Sequence, residues 1–393
     1  MRRIYSKYIY TVAAGTFSGC VDFDEDGTII SVFRADTAPE DAQVLEGAVV
    51  PGFVNAHCHL ELSYMKGLFR RGTGMTGFID QINALRYVAP LEDRLYDISA
   101  QLDSMYRSGV SAMADISNCN ESFAAKASSP MYTRTFLEVF GTEPEDSPAI
   151  IEDVKKLQAE AASCGLDAAP SPHACYTMSP RLLADVSALG LESGYLSYHS
   201  EETPEEEEMI ASGSGPMWDN RRAAGMSTPP VTGGSSLEYF VDTLATVRPL
   251  PVKERILLVH EVCITPKGVE LIKKALPGAC IVLCPRSNIY IHNALPPVEM
   301  LRDSGLTLAV GTDSLSSNDS LDMIAELYLL QENFPKISME ELFGWACLGG
   351  AKALGKEGSL GSIDPGKKPG LVFVDNLSAE GRLTAESKSY RII

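Results

Sequence analysis

At 393 residues the chain is long enough for one large domain with a satellite, or for two domains. Hydrophobic residues make up 45% and charged residues 22%, the proportions of an ordinary globular enzyme with a sizeable core. The formal charge of −19 makes nucleic acid and anionic membrane surfaces poor partners, and no apolar run is long enough for a membrane-spanning helix.

The nine cysteines are odd in number, contain no CxxC pair and lie mostly inside apolar runs. They read as small buried hydrophobes in a reduced cytoplasm rather than as a disulfide framework. Met1-Arg2-Arg3, an apolar stretch and Phe17-Ser18-Gly19-Cys20 imitate a lipoprotein signal. Tyr5, Lys7, Tyr8 and Tyr10 interrupt that stretch, so it reads as a strand. Residues 4–13, 19–23 and 28–33 are β-rich, with Asp24-Glu25-Asp26-Gly27 as a hairpin turn.

From 51 to about 350 strands alternate with helices. The sequence predicts strands at 48–57, 111–117, 131–141, 166–173, 195–202, 256–262, 280–285 and 307–313. Helices are expected at 91–108, 148–163, 180–189, 235–247, 266–276 and 296–304. Thr203-Pro204-Glu205-Glu206 and Thr265-Pro266-Lys267-Gly268 are helix starts, each with an N-cap and a proline at the first helical position. Residues 211–236, rich in Gly, Ser, Pro and Met, read as a long loop, either near the rim of the site or as a plain surface insertion. Residues 355–393 return to β character. The expected fold is α/β: a (β/α)8 TIM barrel over 51–354, with a small β-sandwich domain assembled from 1–50 and 355–393.

Chemistry-bearing residues fall at the ends of the predicted strands. His57 and His59 are separated by two, so they project together from one strand end. His199, His260 and Asp313 each follow an apolar run, and Glu202 lies three residues after His199. In a parallel barrel all strand ends meet at one rim. His57, His59, His199 and Asp313 then offer three nitrogens and a carboxylate oxygen, a set for one divalent metal, Zn²⁺ or Fe²⁺. Such an ion makes water a nucleophile near neutral pH. Glu202 is placed to carry a proton, His260 to orient the attacking group, and Asp313 to accept a proton while also serving the ion.

These segments resemble the amidohydrolase superfamily, in its cytosine deaminase-like branch. The resemblance rests on Val50 to His59, Pro172 to Thr177, His199 to Thr203, Val259 to Val262, Cys284 to Asn288, Gly311 to Asn318 and Gly358 to Lys367. It implies hydrolytic release of ammonia from an aromatic amidine carbon, with the ligand and catalytic roles just given. The fourth strand ends Ala168 to His173 without the lysine that bridges two metals in other members, which favours a single ion. Cys175 stands where the family commonly has proline, and Pro369-Gly370-Leu371 where Ala-Asp-Leu is common. His59 to Ser63 with Ser314 to Asn318 resemble deaminases of aminodeoxyfutalosine and other adenosine derivatives more than guanine deaminases. The candidate substrate contacts are His173, by that resemblance, and Glu61, Arg134 and Glu138. Glu61 would bind a ring nitrogen or a basic neighbour. His292 matches no role. The substrate is expected to be a small molecule and the chain a possible homodimer. The alternatives are a hydrolase of triazines, cyclic amides, guanine or cytosine, and a catalytically silent metal-holding protein.

Overall fold

The computed structural model describes all 393 residues. Strands β1 to β4 are Arg2–Thr11, Gly15–Phe23, Ile29–Arg34 and Gln43–Pro51. The next eight, β5 to β12, are Phe53–Cys58, Val110–Ser117, Tyr132–Val139, Asp167–Pro172, Tyr195–Ser200, Arg255–His260, Ala279–Leu283 and Thr307–Val310. β13 and β14 are Leu371–Val374 and Ser389–Arg391. Helices α1 to α7 are Gly74–Leu85, Leu91–Arg107, Phe123–Ser128, Ser147–Ser163, Pro180–Glu192, Pro204–Ser212 and Pro216–Ala223. Helices α8 to α14 are Ser236–Val247, Pro266–Ala275, Pro285–His292, Val298–Asp303, Met323–Asn333, Met339–Gly344 and Gly350–Ala353.

β5 to β8 and β9 to β12 form two four-stranded parallel sheets that close on each other as a (β/α)8 barrel. Their sequences are nearly continuous apolar runs because parallel strands are covered on both faces. Val54, Ala56, Ala112, Ala114, Phe136, Leu257 and Val259 belong to a buried cluster that fills the bore. The larger core, 66 buried residues, lies mainly between the strands and the surrounding helices.

The two seams have sequence causes. At β8–β9, Pro170 and Pro172 have no N–H to give the neighbouring strand. Ser171 substitutes: its hydroxyl donates to the Ser197 carbonyl at 2.7 Å and accepts the Ser197 N–H at 2.8 Å. At β12–β5, the Thr312 and Asp313 N–H groups both donate to the His57 carbonyl at 3.0 Å. Gly311 permits that approach, since a Cβ there would lie 2.7 Å from the Cβ of His57.

The termini form one six-stranded sheet, order β14-β13-β4-β1-β2-β3, rather than a sandwich of two sheets. It bends at irregular register in β1, between Ser6 and Ile9 against β2 and between Ser6 and Tyr8 against β4. The single strand expected over 48–57 is two strands broken at Gly52, where a Cβ would collide with Ser111 and with the carbonyl of Pro369. β4 therefore belongs to the terminal sheet and β5 to the barrel. The 211–236 segment is not all loop: it contains α7. Helices α1, α3, α10, α12, α13 and α14 also lie outside the predicted set. No helix is long and apolar enough to cross a membrane.

A buried ion pair ties three elements together beneath the first histidines. Lys126 of α3 donates to Asp115 of β6 at 2.8 Å and to Ser117 at 3.0 Å. The other Asp115 oxygen accepts the Leu60 N–H at 2.9 Å, just after His59. Both charged side chains are fully enclosed. Removing one partner strands the other charge in a low-dielectric interior. We expect Lys126→Met to lower the unfolding free energy by about 3–5 kcal/mol. Urea unfolding would measure it, and pairing the change with Asp115→Asn should return part of the loss.

Candidate metal centre and pocket

His57 and His59 leave the end of β5 with their Nε2 atoms 3.1 Å apart. Asp313 Oδ1 lies 3.5 Å from His59 Nε2 and 3.8 Å from His57 Nε2. The His199 ring comes in from the end of β9, its centroid 4.8 Å from that of His57. The structure thus brings together all four predicted ligands, far apart in the chain. Burial holds the His57 and His199 rings well below the usual imidazole range, helped by neighbouring histidines, so both present lone pairs near neutral pH. Burial pushes Asp313 up, yet the facing His59, His57 and His260 rings and the Ser287 hydroxyl pull it down to about 2. Electron-pair donors crowded this closely repel one another unless a cation or a shared proton sits among them. The nitrogen and oxygen set fits a divalent ion of the Zn²⁺ or Fe²⁺ type.

Each donor is oriented from behind. His199 Nδ1 donates to the His173 carbonyl at 3.3 Å, which leaves Nε2 for the centre. The Ser287 and Ser317 hydroxyls donate to Asp313 Oδ2 at 2.5 and 3.0 Å, which leaves Oδ1 facing the imidazoles. His260 and Asp313 have φ of +82° and +54°, a region that side chains other than glycine rarely occupy. Both sit where a barrel strand ends, and the left-handed turn redirects their side chains toward the centre.

Glu202 is buried at the edge of this cluster. Its Oε2 accepts the Tyr176 hydroxyl at 2.7 Å, and its Oε1 lies 3.3 Å from His260 Nε2. The amide oxygen of Asn288 accepts from His260 Nδ1 at 2.8 Å, which turns Nε2 toward Glu202. Burial raises the Glu202 carboxyl above its ordinary range, while His260 and the Tyr176 hydroxyl act the other way. A carboxyl shifted upward is suited to both giving and taking a proton near neutral pH.

A pocket of about 160 Å³ opens over these groups and is lined by His59, Glu138, His173, His199, Glu202 and Asp313 among others. Glu138 and His173 therefore stand where a substrate contact needs them. Burial lifts Glu138 to about 8, and Asn118 donates to its Oε2 at 3.1 Å. The His173 ring stacks on His199 with centroids 4.5 Å apart, and its Nδ1 meets the Thr177 hydroxyl at 2.7 Å.

Two expected contacts are elsewhere. Arg134 shares the inward face of β7 with Glu138 but lies at the strand's other end. It pairs with Asp167, donates to Ser193 and stacks on Tyr195. Same-face residues four apart on a strand are separated by about 13 Å, so matching direction did not mean matching depth. Glu61 is not on the strand: it lies in a short 3-10 turn, Leu60–Met65, and does not line the pocket. Its carboxylate accepts from Arg86 at 3.3 Å and from the Asn118 N–H at 2.9 Å. It thus has the basic neighbour foreseen for it and supports two residues that do line the pocket, Arg86 and Asn118. Neither was foreseen. Arg86 follows α1, a helix the sequence left undetected, whereas Tyr176 and Asn288 lie inside segments already singled out. His292, in the last turn of α10, lies outside the pocket, and burial holds its ring down at about 4.

The pocket continues into an outer chamber of about 630 Å³ that shares Ile79, Asn83, Phe140, Tyr176 and Thr177 with it. Helix α7 supplies one wall through Met217, Asn220 and Arg221. Part of the 211–236 segment therefore borders the site. The start of α1 is fixed by Glu205 of α6, which accepts the Met75 and Thr76 N–H groups at 3.2 and 3.0 Å.

Comparisons with known proteins agree with this geometry. A 5-methylthioadenosine/S-adenosylhomocysteine deaminase of Halobacterium salinarum is 27% identical over 378 residues, 91% of this chain and 80% of the relative. An aminodeoxyfutalosine deaminase of Deinococcus radiodurans is 27% identical over 342 residues, 81% of this chain and 76% of the relative. The crystal structure of Helicobacter pylori aminofutalosine deaminase in complex with methylthio-coformycin superposes with a TM-score of 0.80 over the whole of both chains, at 24% identity. That likeness bears on the fold. The Amidohydrolase family profile matches residues 48–390, and the chain belongs to that family.

Proposed function

We propose that the chain is a metal-dependent hydrolytic deaminase that releases ammonia from the amidine carbon of a 6-aminopurine nucleoside derivative. The observation that carries this reading is the position of Glu202, held between Tyr176 and His260 on the floor of the pocket, beside the four clustered donors. A C–N hydrolase of an amidine needs a group that gives a proton to the ring nitrogen beside the attacked carbon. The named activities of the two relatives support the substrate class.

His57, His59, His199 and Asp313 would hold the ion, Zn²⁺ or Fe²⁺, which supplies Lewis acidity toward water when bound. Asp313, held low by its neighbours, takes the proton that water sheds as it adds to the carbon. Glu202, held high by burial, protonates the adjacent ring nitrogen. The proton on Asp313 then goes to the amino group, which departs as ammonia, while the hydroxyl proton of the adduct returns to Glu202 and the ring keeps a carbonyl. His260, with its Nε2 turned toward Glu202, orients the water as it arrives. Glu138 and His173, both beside His199, supply polar contacts to the ring. The terminal sheet, with its own core around Ile4, Val21 and Val49, acts as the small domain 1–50 with 355–393 beside the barrel 51–354. All nine cysteines are free, which supports a cytoplasmic setting.

Ammonia release from purine nucleosides, free purines, triazines and cyclic amides tests the substrate class, and turnover confined to triazines or amides would sink the reading. Glu202→Gln should keep its metal and lose at least about a hundredfold in turnover. Unchanged turnover would remove Glu202 from the proton path, and a wild-type protein that binds metal yet turns nothing over would be a silent binder. Asp313→Asn and His199→Ala should each lower the metal retained after chelator challenge, measured by elemental analysis against the wild type. Retention equal to the wild type would remove that residue from the ligand set.

A further inference from the structure

Helix α2 carries one apolar stripe that the chain covers only in part. Leu91, Leu95, Ile98, Leu102 and Met105 follow helical spacing, so they share a face. Ile98, Leu102 and Met105 are buried. Leu91 and Leu95, two turns and one turn earlier on the same stripe, are 52% and 40% exposed. The turn that leads into the helix adds Tyr87 and Val88, at 60% and 67%, and α2 adds Tyr96, at 74%.

Five of the sixteen exposed large apolar side chains therefore fall within ten consecutive residues. Scattered ones are ordinary on any surface, whereas a cluster exposing on the order of 600 Å² marks an interaction site. A stable interface buries about 800 Å² on each partner, so this patch supplies most of one.

The charges around the patch select its occupant. Glu92 and Asp93 open α2, and Lys66 and Arg70 follow the 3-10 turn, which packs on α2. All four are exposed and stand free of ion pairs, unlike Arg71 and Arg94 nearby, which hold Asp319 and Glu121. A wholly acidic or wholly basic partner would meet like charge on part of this rim. A second copy of the chain presents both signs, and a two-fold axis lets leucine and tyrosine meet their own kind.

The patch is also joined to the pocket. The turn from α1 to α2 sends Arg86 inward, where its guanidinium donates to Glu61 and to Asn118 and lines the pocket. The next two residues, Tyr87 and Val88, face outward in the patch. Tyr87 has φ of +68°, an unfavourable region for tyrosine, and its N–H donates to the Tyr64 hydroxyl at 3.1 Å. The Val88 N–H donates to the Leu85 carbonyl at 3.2 Å. Covering the outer side of this turn would brace the residue on its inner side.

We infer that two copies of the chain pair through Tyr87, Val88, Leu91, Leu95 and Tyr96, and that this contact braces the turn that carries Arg86 into the pocket. The inference stands apart from the deaminase reading, because neither the patch nor its test involves turnover.

Sedimentation equilibrium of the full chain at micromolar concentration should give the mass of two copies. Leu91→Glu and Tyr96→Asp should each raise the dissociation constant about thirtyfold or more, the scale of a central interface residue. Both side chains face solvent, so the fold should survive, as circular dichroism would show, and either variant serves if the other does not fold. A wild type of single-chain mass overturns the inference, whether it stays free in solution or sediments with phosphatidylcholine vesicles. A dimer that both variants leave intact overturns it as well, since the contact then lies on another face. Hydrogen exchange reads the bracing: the amides of residues 86–89 should exchange at least about threefold faster in the Tyr96→Asp monomer, whose substitution is two turns away from them, than in the dimer. Equal exchange in the two would overturn the link to Arg86.

Discussion

The structure depends on packing lone-pair donors against one another at one end of a barrel. Two imidazole nitrogens 3.1 Å apart, with a carboxylate oxygen 3.5 Å from one of them, are unfavourable neighbours unless a cation or a shared proton lies among them. The backbone must therefore hold them there. The hydrogen bonds that do so also close the barrel: the carbonyl of His57 accepts the N–H groups of Thr312 and Asp313, joining the last strand to the first. One residue thus offers its ring to the centre and its carbonyl to the seam. A local distortion at this seam would move a ligand and open the barrel together. The opposite seam has the same economy, because the His199 N–H donates to the His173 carbonyl there.

Behind the donors lies a layer of polar side chains whose work is orientation. Asn288 sets the direction of the His260 ring, the Ser287 and Ser317 hydroxyls select which oxygen of Asp313 faces inward, and Tyr176 fixes one oxygen of Glu202. Glu61 does this for Arg86 and Asn118. Neutral donors dominate around Asp313 and cost less to bury than charges would. The result is two carboxylates in one site with opposite tendencies. Asp313 is held low by imidazoles and hydroxyls, and Glu202 is held high by burial.

Much of this was legible because strand ends are constrained twice, by periodicity and by chemistry. An apolar run ending in histidine or aspartate marks both a strand and its rim, which is why His57, His59, His199, His260 and Asp313 could be read together. Depth along a strand is not written in the same way. Arg134 and Glu138 share a parity and differ only in distance from the rim, and parity alone made them equivalent. Glu61 lies past Cys58, where β5 ends and a 3-10 turn begins, so strand periodicity does not set its direction and it meets Arg86 instead of the pocket. Helix α7 was hidden by its flanks. Gly213 and Gly215, both at positive φ, precede it and Gly225 follows, so composition spoke for a loop while eight residues between them wound into a helix.

These misses fall on one side of a physical divide. The clustered donors sit at or just past strand ends, where the hydrogen bonds that close the barrel set their positions. Residues that border the space beyond, on α1, α7 and the turn after β7, answer to no ladder of hydrogen bonds. Their positions come from side-chain ties such as Glu205 to the start of α1 and Glu143 to Ser227. Such ties can be exchanged without disturbing the strands. The barrel can therefore keep one reaction centre while the outer wall is rebuilt for another substituent, and a sequence reading anchored on periodicity sees the first far better than the second.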